Sequence, residues 1–479
     1  MSAVPPAVVP GDRPGTTAVD GALVSSQGPL VSASMGLVAV IGYAGALVLA
    51  HLLDAPDYSV YAAAATLLGT VGVFAAALVP MPLTHVIRTH PARSEERRRG
   101  IAFAWSVSAA GGVVAAAVTA LVATAFAPAG VVAVVAASAL VLFLASPVWG
   151  WFHGELRFVR NAVVLEAEIG ARVLVGVGVV LLGWGAGGAL TGFLAGSLMV
   201  LLSAPRALWR DLSWRTDVLR ERARWAETGD IAATQLVVST LVGADVVLVA
   251  ALADPDAVSA GYQALATLAK APVYVAAGAV AVAYPLLRSA RARTDHIIGT
   301  TLRSFALLAG PAAAVVATVP PGLVLLVFPE RYAGSLRLLP ALAAAGVGYA
   351  ALTLFTSVLL GLRAYRRCQA GLLVAALFLA AGLGGGWQLA GVPGLAAGTA
   401  LGALLGAGGL WVAATPVLPP GTLRRARSAL LAAAALTTLL AGARSVPALW
   451  VGAVLLLGGV VLWQLRRPDA VPTDELETS

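Results

Sequence analysis

Fourteen apolar stretches run along this chain, and the connections between them are alternately rich in arginine and nearly free of it. Each stretch is roughly 17–30 residues long, enough for a helix to cross a bilayer core of about 30 Å. The arginine-rich connections run from Arg13 through Arg88–Arg99, Arg157–Arg160, Arg206–Arg224, Arg288–Arg293, Arg363–Arg367 and Arg424–Arg427 to Arg466 and Arg467. They hold 25 of the 31 basic residues; the opposite set holds only Arg331 and Arg444. Arg172, Lys270, Arg303 and Arg337 fall within apolar stretches. Positive loops stay on the cytoplasmic side of a membrane. The pattern therefore predicts a multi-pass protein of the cytoplasmic membrane with both termini in the cytoplasm.

Hydrophobic residues make up 59% of the chain and charged residues 11%, against about 25% charged in a soluble domain. That excludes a water-soluble fold. The net charge of +8 follows from topology. The basic residues are spread over eight segments and do not form one patch with interleaved aromatics, which argues against a nucleic-acid partner. Residues 1–29 lack the basic start of a signal peptide, so the first apolar stretch is expected to be retained. Cys368, the one cysteine, is expected in a cytoplasmic loop and excludes an intrachain disulfide. The five histidines have no paired ligand spacing, and neither a metal nor another cofactor is expected.

Backbone groups in lipid must be satisfied within the chain. Without the alternation of a membrane barrel, the stretches are expected to be helices, giving an all-α polytopic fold. Residues 1–29 form a cytoplasmic tail, 30–204 a first lobe of six spans, 205–229 a basic linker, 230–414 a second lobe of six, 415–465 two appended spans and 466–479 a second tail. The linker, with Trp209, Trp214 and Trp225 among its arginines, reads as an amphipathic helix on the inner surface. The lobes look like repeats. Asp54-Ala55-Pro56-Asp57-Tyr58-Ser59-Val60-Tyr61 is matched by Asp254-Pro255-Asp256-Ala257-Val258-Ser259-Ala260-Gly261-Tyr262. At nearly the same offset, Trp184 precedes Gly188-Ala189-Leu190-Thr191-Gly192 and Trp387 precedes Gly394-Leu395-Ala396-Ala397-Gly398. Each of the latter is a G-x-x-x-G, which lets helices approach closely. Six spans per unit make the repeat parallel, with a substrate site expected between the units.

Four stretches, in this order and spacing, resemble a known family: Asp57-Tyr58-Ser59-Val60-Tyr61; Gly261-Tyr262-Gln263-Ala264 through Lys270 to Tyr284-Pro285-Leu286-Leu287; Phe328-Pro329-Glu330-Arg331-Tyr332-Ala333-Gly334; and Gly391-Val392-Pro393-Gly394-Leu395-Ala396-Ala397-Gly398. Over about residues 30–465 the chain resembles the polysaccharide-export branch of the multidrug/oligosaccharidyl-lipid/polysaccharide exporter superfamily. The resemblance implies about fourteen transmembrane helices around a V-shaped central cavity. It also implies a monomer that flips a lipid-linked oligosaccharide, working with polysaccharide polymerase and export machinery. One departure is that the first two spans carry no basic residue within the membrane.

Charges inside membrane helices are costly and mark functional sites by default. Lys270, the only lysine, lies about 20 Å into the eighth span at 1.5 Å per residue. Asp245 is about 12 Å deep on the seventh. Lys270 is the leading candidate to meet a substrate pyrophosphate, with a structural ion pair to Asp245 as the competing reading. On the fifth span, Glu168 and Arg172 are four apart, the spacing of a helical ion pair. Arg172 is a second substrate-binding candidate. Glu166, Glu168 and Asp245 are candidates for ion coupling or charge pairing. Gln235 and Thr234 are polar lining candidates, and Asp230 reads as an N-cap. Pro80, Pro82, Pro147, Pro272 and Pro311 interrupt spans, and Pro272 directly follows the Lys270 turn. Two other readings stay open. An ion-coupled drug or metabolite antiporter would use Asp245 or Glu168. A membrane-embedded glycan-transferring enzyme would need outer carboxylate pairs, but Asp54/Asp57 and Asp254/Asp256 read as caps and turns.

Overall fold

The computed structural model describes residues 34, 36–210, 212, 217–220, 222–274, 276, 278, 280, 287, 294–418 and 422–466. Among the described residues every regular element is a helix. The first lobe comprises α1 (Gly36–Leu52), α2 (Ala55–Leu78), α3 (Pro80–Thr89), α4 (Glu95–Ala123), α5 (Ala129–Gly154), α6 (Phe158–Leu181) and α7 (Gly185–Leu202). After α8 (Arg206–Arg210) and a 3-10 turn (Val218–Arg220), the second lobe begins with α9 (Arg222–Leu252) and α10 (Ala257–Ala269). It continues with α11 (Thr294–Thr318), α12 (Pro321–Leu325), a 3-10 segment (Glu330–Leu338), α13 (Leu339–Gly361) and α14 (Tyr365–Ala414). The appended pair is α15 (Thr422–Ala443) and α16 (Pro447–Arg466).

Eight helices among the described residues have the length and apolarity of membrane spans, and three more are apolar but shorter. This tally differs from fourteen partly because spans merge. α14 contains two expected spans, 369–388 and 393–414. They are separated only by a kink at Ala390 (φ −152°) and Gly391 (φ +58°). The positive φ is open to glycine without a Cβ penalty, so the chain reverses there with almost no loop. α6 carries four charged residues, Arg160, Glu166, Glu168 and Arg172, which set it apart from the apolar spans.

Helix starts follow local chemistry. Asp54 Oδ1 accepts the Asp57 N–H at 2.8 Å, and Asp256 Oδ1 accepts those of Val258 (3.0 Å) and Ser259 (2.8 Å). These are N-caps that satisfy otherwise orphaned donors. Proline acts unevenly. Pro80 ends the α2 ladder at Val79, so the second expected span is two helices. Pro147 and Pro311 stay inside α5 and α11.

Glycines set the closest packing. A Cβ on Gly192 would collide with the Arg172 carbonyl oxygen, and one on Gly176 or Gly196 would meet those of Ala189 or Glu168 at 2.9 Å. α6 and α7 thus touch backbone to backbone. The arms of α14 do the same: Gly382 and Gly398 face each other's carbonyl oxygens, as do Gly386 and Gly394. Small residues allow this approach where lipid supplies no hydrophobic drive between helices.

Three expectations are corrected. The linker is not one surface helix: α8 ends at Arg210, and α9 starts at Arg222 and runs on into the lobe. Its aromatic residues dock on α4, with Trp209 stacked on Trp105 (5.4 Å between centroids) and Trp225 edge-on to Phe103 (5.3 Å). Ring contacts with α4, and not one continuous amphipathic helix, hold the segment; Trp214 lies outside the described residues. Asp230 is interior to α9 and no N-cap, because the helix begins eight residues earlier; its Oδ1 accepts from Gln369 Nε2 at 3.4 Å. Cys368 is buried in the first turn of α14 and not in a loop, with Sγ 4.0 Å from the Thr356 carbonyl oxygen.

One apolar cluster crosses between the lobes, joining Leu49, Ala50, Leu53 and Tyr58 to Tyr262, Tyr332 and Leu339. A second fills the first lobe and takes in Ile231 and Ala232 of α9. α9 packs along α2, where Thr70 Oγ1 donates to the Ser239 carbonyl at 3.5 Å. α15 and α16 join the second lobe through α11, with Trp450 Nε1 donating to Thr318 Oγ1 at 3.1 Å.

Candidate functional site

Lys270 stands where α10 breaks. The helix ends at Ala269, Lys270 has φ −81° and ψ 3°, and helical backbone resumes at Ala271. Pro272 explains the interruption, since it has no N–H to continue the ladder. Gly346 of α13 packs so tightly on the break that a Cβ would collide with the Ala269 carbonyl oxygen. The Lys270 ammonium donates to Asp245 Oδ1 at 3.0 Å and lies 5.6 Å from the Tyr349 ring centroid. Tyr262 donates to Asp245 Oδ2 at 3.2 Å, and its hydroxyl is 3.5 Å from Thr399 Oγ1. Four elements, α9, α10, α13 and α14, thus converge on one ion pair.

The burial is asymmetric. Asp245 has 1% of its side chain exposed and Lys270 15%. A buried charge is tolerated only when paired and hydrogen-bonded, and both carboxylate oxygens have partners. The ammonium has three donors, of which Asp245 takes one. Tyr349 Oη, on the ring beside the ammonium, and Gln263 Oε1 of α10 are buried with no hydrogen bond within the chain.

In the first lobe Glu168 and Arg172 form an ion pair along α6. The Arg172 guanidinium lies 4.4 Å from the Phe193 ring centroid on α7, and its Nε is buried without a partner. The brace expected from spacing is present. Glu166 is half-buried on α6; two residues from Glu168, it faces elsewhere on the helix. Gln235 is half-buried on α9, about 15 Å along the helix from Asp245 by rise per residue. The structure thus brings Asp245 and Lys270 together, and separately Glu168 and Arg172. Glu166 and Gln235 join neither pair. Among the described residues no group of three His, Cys, Asp or Glu side chains is placed to hold a metal.

Sequence reasoning missed two arginines. Arg97, read only as a topological charge, is buried in an ion pair with Glu155, lies 5.0 Å from the Trp151 ring centroid and donates to the Ile87 carbonyl. Arg331, an exception to the charge pattern, donates across the lobes to the Ala50 carbonyl and to that of Leu53 at 2.6 Å. The exception itself was the available signal. Arg337, expected in an apolar span, lies exposed in the 3-10 segment ahead of α13.

Three of the four motif stretches meet at the seam between the lobes. Tyr58 of the first faces Tyr332 of the third, with centroids 5.9 Å apart. Gly261 of the second packs against Ser335, which a Cβ would strike, and Ser335 Oγ donates to the Val258 carbonyl at 3.1 Å. The fourth stretch forms the kink and close packing of α14. Tyr284–Leu286 lie outside the described residues.

This arrangement has the fold of the multidrug/oligosaccharidyl-lipid/polysaccharide exporters. The chain is similar to the lipid II flippase MurJ in an inward closed conformation, with a TM-score of 0.70 and 11% identity over 91% of this chain and 100% of that one. It is similar to an inward-facing multidrug resistance MATE family transporter of the MOP superfamily (TM-score 0.58, 14% identity, 79% of this chain and 94% of that). A MOP superfamily transporter from Pyrococcus furiosus gives 0.54 at 12% identity, over 82% of this chain and 95% of that. No curated protein sequence matches it. The model of a polysaccharide biosynthesis protein family matches residues 48–337. The chain belongs to that family, and it is a multi-pass membrane protein with a transporter fold.

Proposed function

We propose that the chain flips a polyprenyl-pyrophosphate-linked oligosaccharide across the cytoplasmic membrane by alternating access, for export of cell-envelope polysaccharide. The lobes, residues 30–204 and 230–414, rock against each other while the lipid tail stays in the bilayer. Both termini face the cytoplasm, and the protein works as a monomer beside polysaccharide polymerase and export machinery. The carrying observation is the Lys270–Asp245 pair at a broken helix near mid-depth. Discontinuous helices at the repeat interface are where transporters of this kind bind substrate.

In this reading Lys270 exchanges Asp245 for the pyrophosphate as the head group enters. Tyr262 keeps its hydrogen bond to the carboxylate while the cation is away. Arg172 is the counterpart in the first lobe, held ready by Glu168, and Gln235 lines the path from the cytoplasm. An ion-coupled antiporter would use Asp245, Glu168 or Glu166 for a proton or metal cation. The built-in cationic partners of Asp245 and Glu168 favour anion recognition instead. A glycan-transferring enzyme is disfavoured because Asp54 and Asp256 are engaged as caps.

The test is Lys270→Gln in cells, with Lys270→Arg as the charge-retaining control. The glutamine variant should lower surface glycan at least about tenfold at unchanged protein level, the loss expected if one charge-assisted contact goes. The arginine variant should retain part of it. Normal export by Lys270→Gln would remove the role assigned to this side chain.

A further inference from the structure

We propose that Arg331 is an outer latch, a cross-lobe clamp that must release before the cavity opens to the outside. Arg331 is one of two basic residues on the outer side of a chain that otherwise keeps them within. Such an exception works against topology and calls for a reason. The guanidinium reaches from the 3-10 segment of the second lobe to the end of α1 in the first. There one nitrogen, Nη2, donates to the carbonyls of both Ala50 and Leu53.

Those acceptors need a donor from outside. α1 ends at Leu52, and the last carbonyls of a helix have no partner one turn on. Ala50 and Leu53 are themselves buried. The end of a helix also carries partial negative charge, which favours a cation there. The Arg331 guanidinium carbon lies 5.1 Å from the Tyr332 ring centroid, and that ring packs on Tyr58 of α2. Ser335 and Gly261 tie the same segment to α10. A movement of α10 therefore pulls on the latch. All its acceptors are backbone atoms of the first lobe, so they part from Arg331 when the lobes separate on the outer side.

The test needs no transported substrate, so its failure is distinct from failure of the flippase reading. Spin labels go on Leu182 and Leu326, exposed positions at the outer ends of the two lobes, in a Cys368→Ser background. Distances are read by pulsed electron resonance in lipid nanodiscs. Arg331→Ala should raise the ratio of long-distance to short-distance populations about tenfold, the effect of losing charge-assisted hydrogen bonds. Arg331→Lys, which keeps a charge but not the fork, should fall between, and it also covers the case of an alanine variant that does not fold. Glu330→Gln, a neighbouring change of charge, should leave the distribution as in the parent. An unchanged distribution in Arg331→Ala or Arg331→Lys, or an equal shift in Glu330→Gln, would overturn the latch.

Discussion

Lys270 is set apart from the thirty arginines by chemistry as well as position. A guanidinium is a planar fork that locks onto its partner, whereas an ammonium is a compact charge on a flexible stem with three rotatable donors. Lys270 holds Asp245 at 3.0 Å, and the exchange proposed for it is better served by the second. Breaking a buried pair by removing one partner costs about 3–5 kcal/mol, because the other charge is stranded. Asp245→Asn and Lys270→Met should each lower the melting temperature of the purified protein. The double variant should be less destabilised than the sum by about 0.5–3 kcal/mol, the coupling of a contacting pair. Strict additivity would mean that the two side chains do not share a bond in solution. This pair was legible in the sequence because charges inside apolar spans are few and their depths can be counted. The Glu168–Arg172 pair was legible from spacing alone. The bonds of Arg331 were not, because their acceptors are backbone atoms 278 and 281 residues away.

At the scale of helices, the G-x-x-x-G stretches did more than spacing implied. They bring backbone against backbone in α6–α7 and between the arms of α14. A leucine at Gly398 would have to displace the Gly382 carbonyl, whereas Gly408 on the same arm faces open space. Gly398→Leu should lower stability by about 1–3 kcal/mol, the range for overpacking, and reduce the folded yield. Gly408→Leu should match the parent. Equal behaviour of the two in thermal melts would contradict the packing. Apolar runs located most helices, because length and apolarity alone decide what crosses a bilayer. They could not divide α2 from α3 at Val79, since proline stays inside α5 and α11 and only tertiary contacts distinguish these cases. Nor could they foresee the broken linker, whose Trp209 and Trp225 pack on α4.

For the whole molecule, the lobes meet through an apolar seam with polar fixtures at different depths. Arg331 and the Tyr58–Tyr332 contact join the lobes at one end and the α2–α9 contact runs alongside, whereas the Lys270–Asp245 cluster lies within the second lobe. The chain belongs to a polysaccharide biosynthesis family and has an exporter fold. The run of apolar stretches marked a multi-pass, all-helical membrane protein from the start. The chemical identity of the cargo has no such signature, since one ammonium reports an anion and not the sugars attached to it. A strain lacking the protein supplies the most direct measurement: mass spectrometry of lipid-linked oligosaccharides, with their leaflet assigned by accessibility in intact cells, alongside surface polysaccharide. The account predicts intermediates accumulating on the cytoplasmic leaflet with loss of surface glycan. Unchanged lipid-linked pools and unchanged glycan would contradict it.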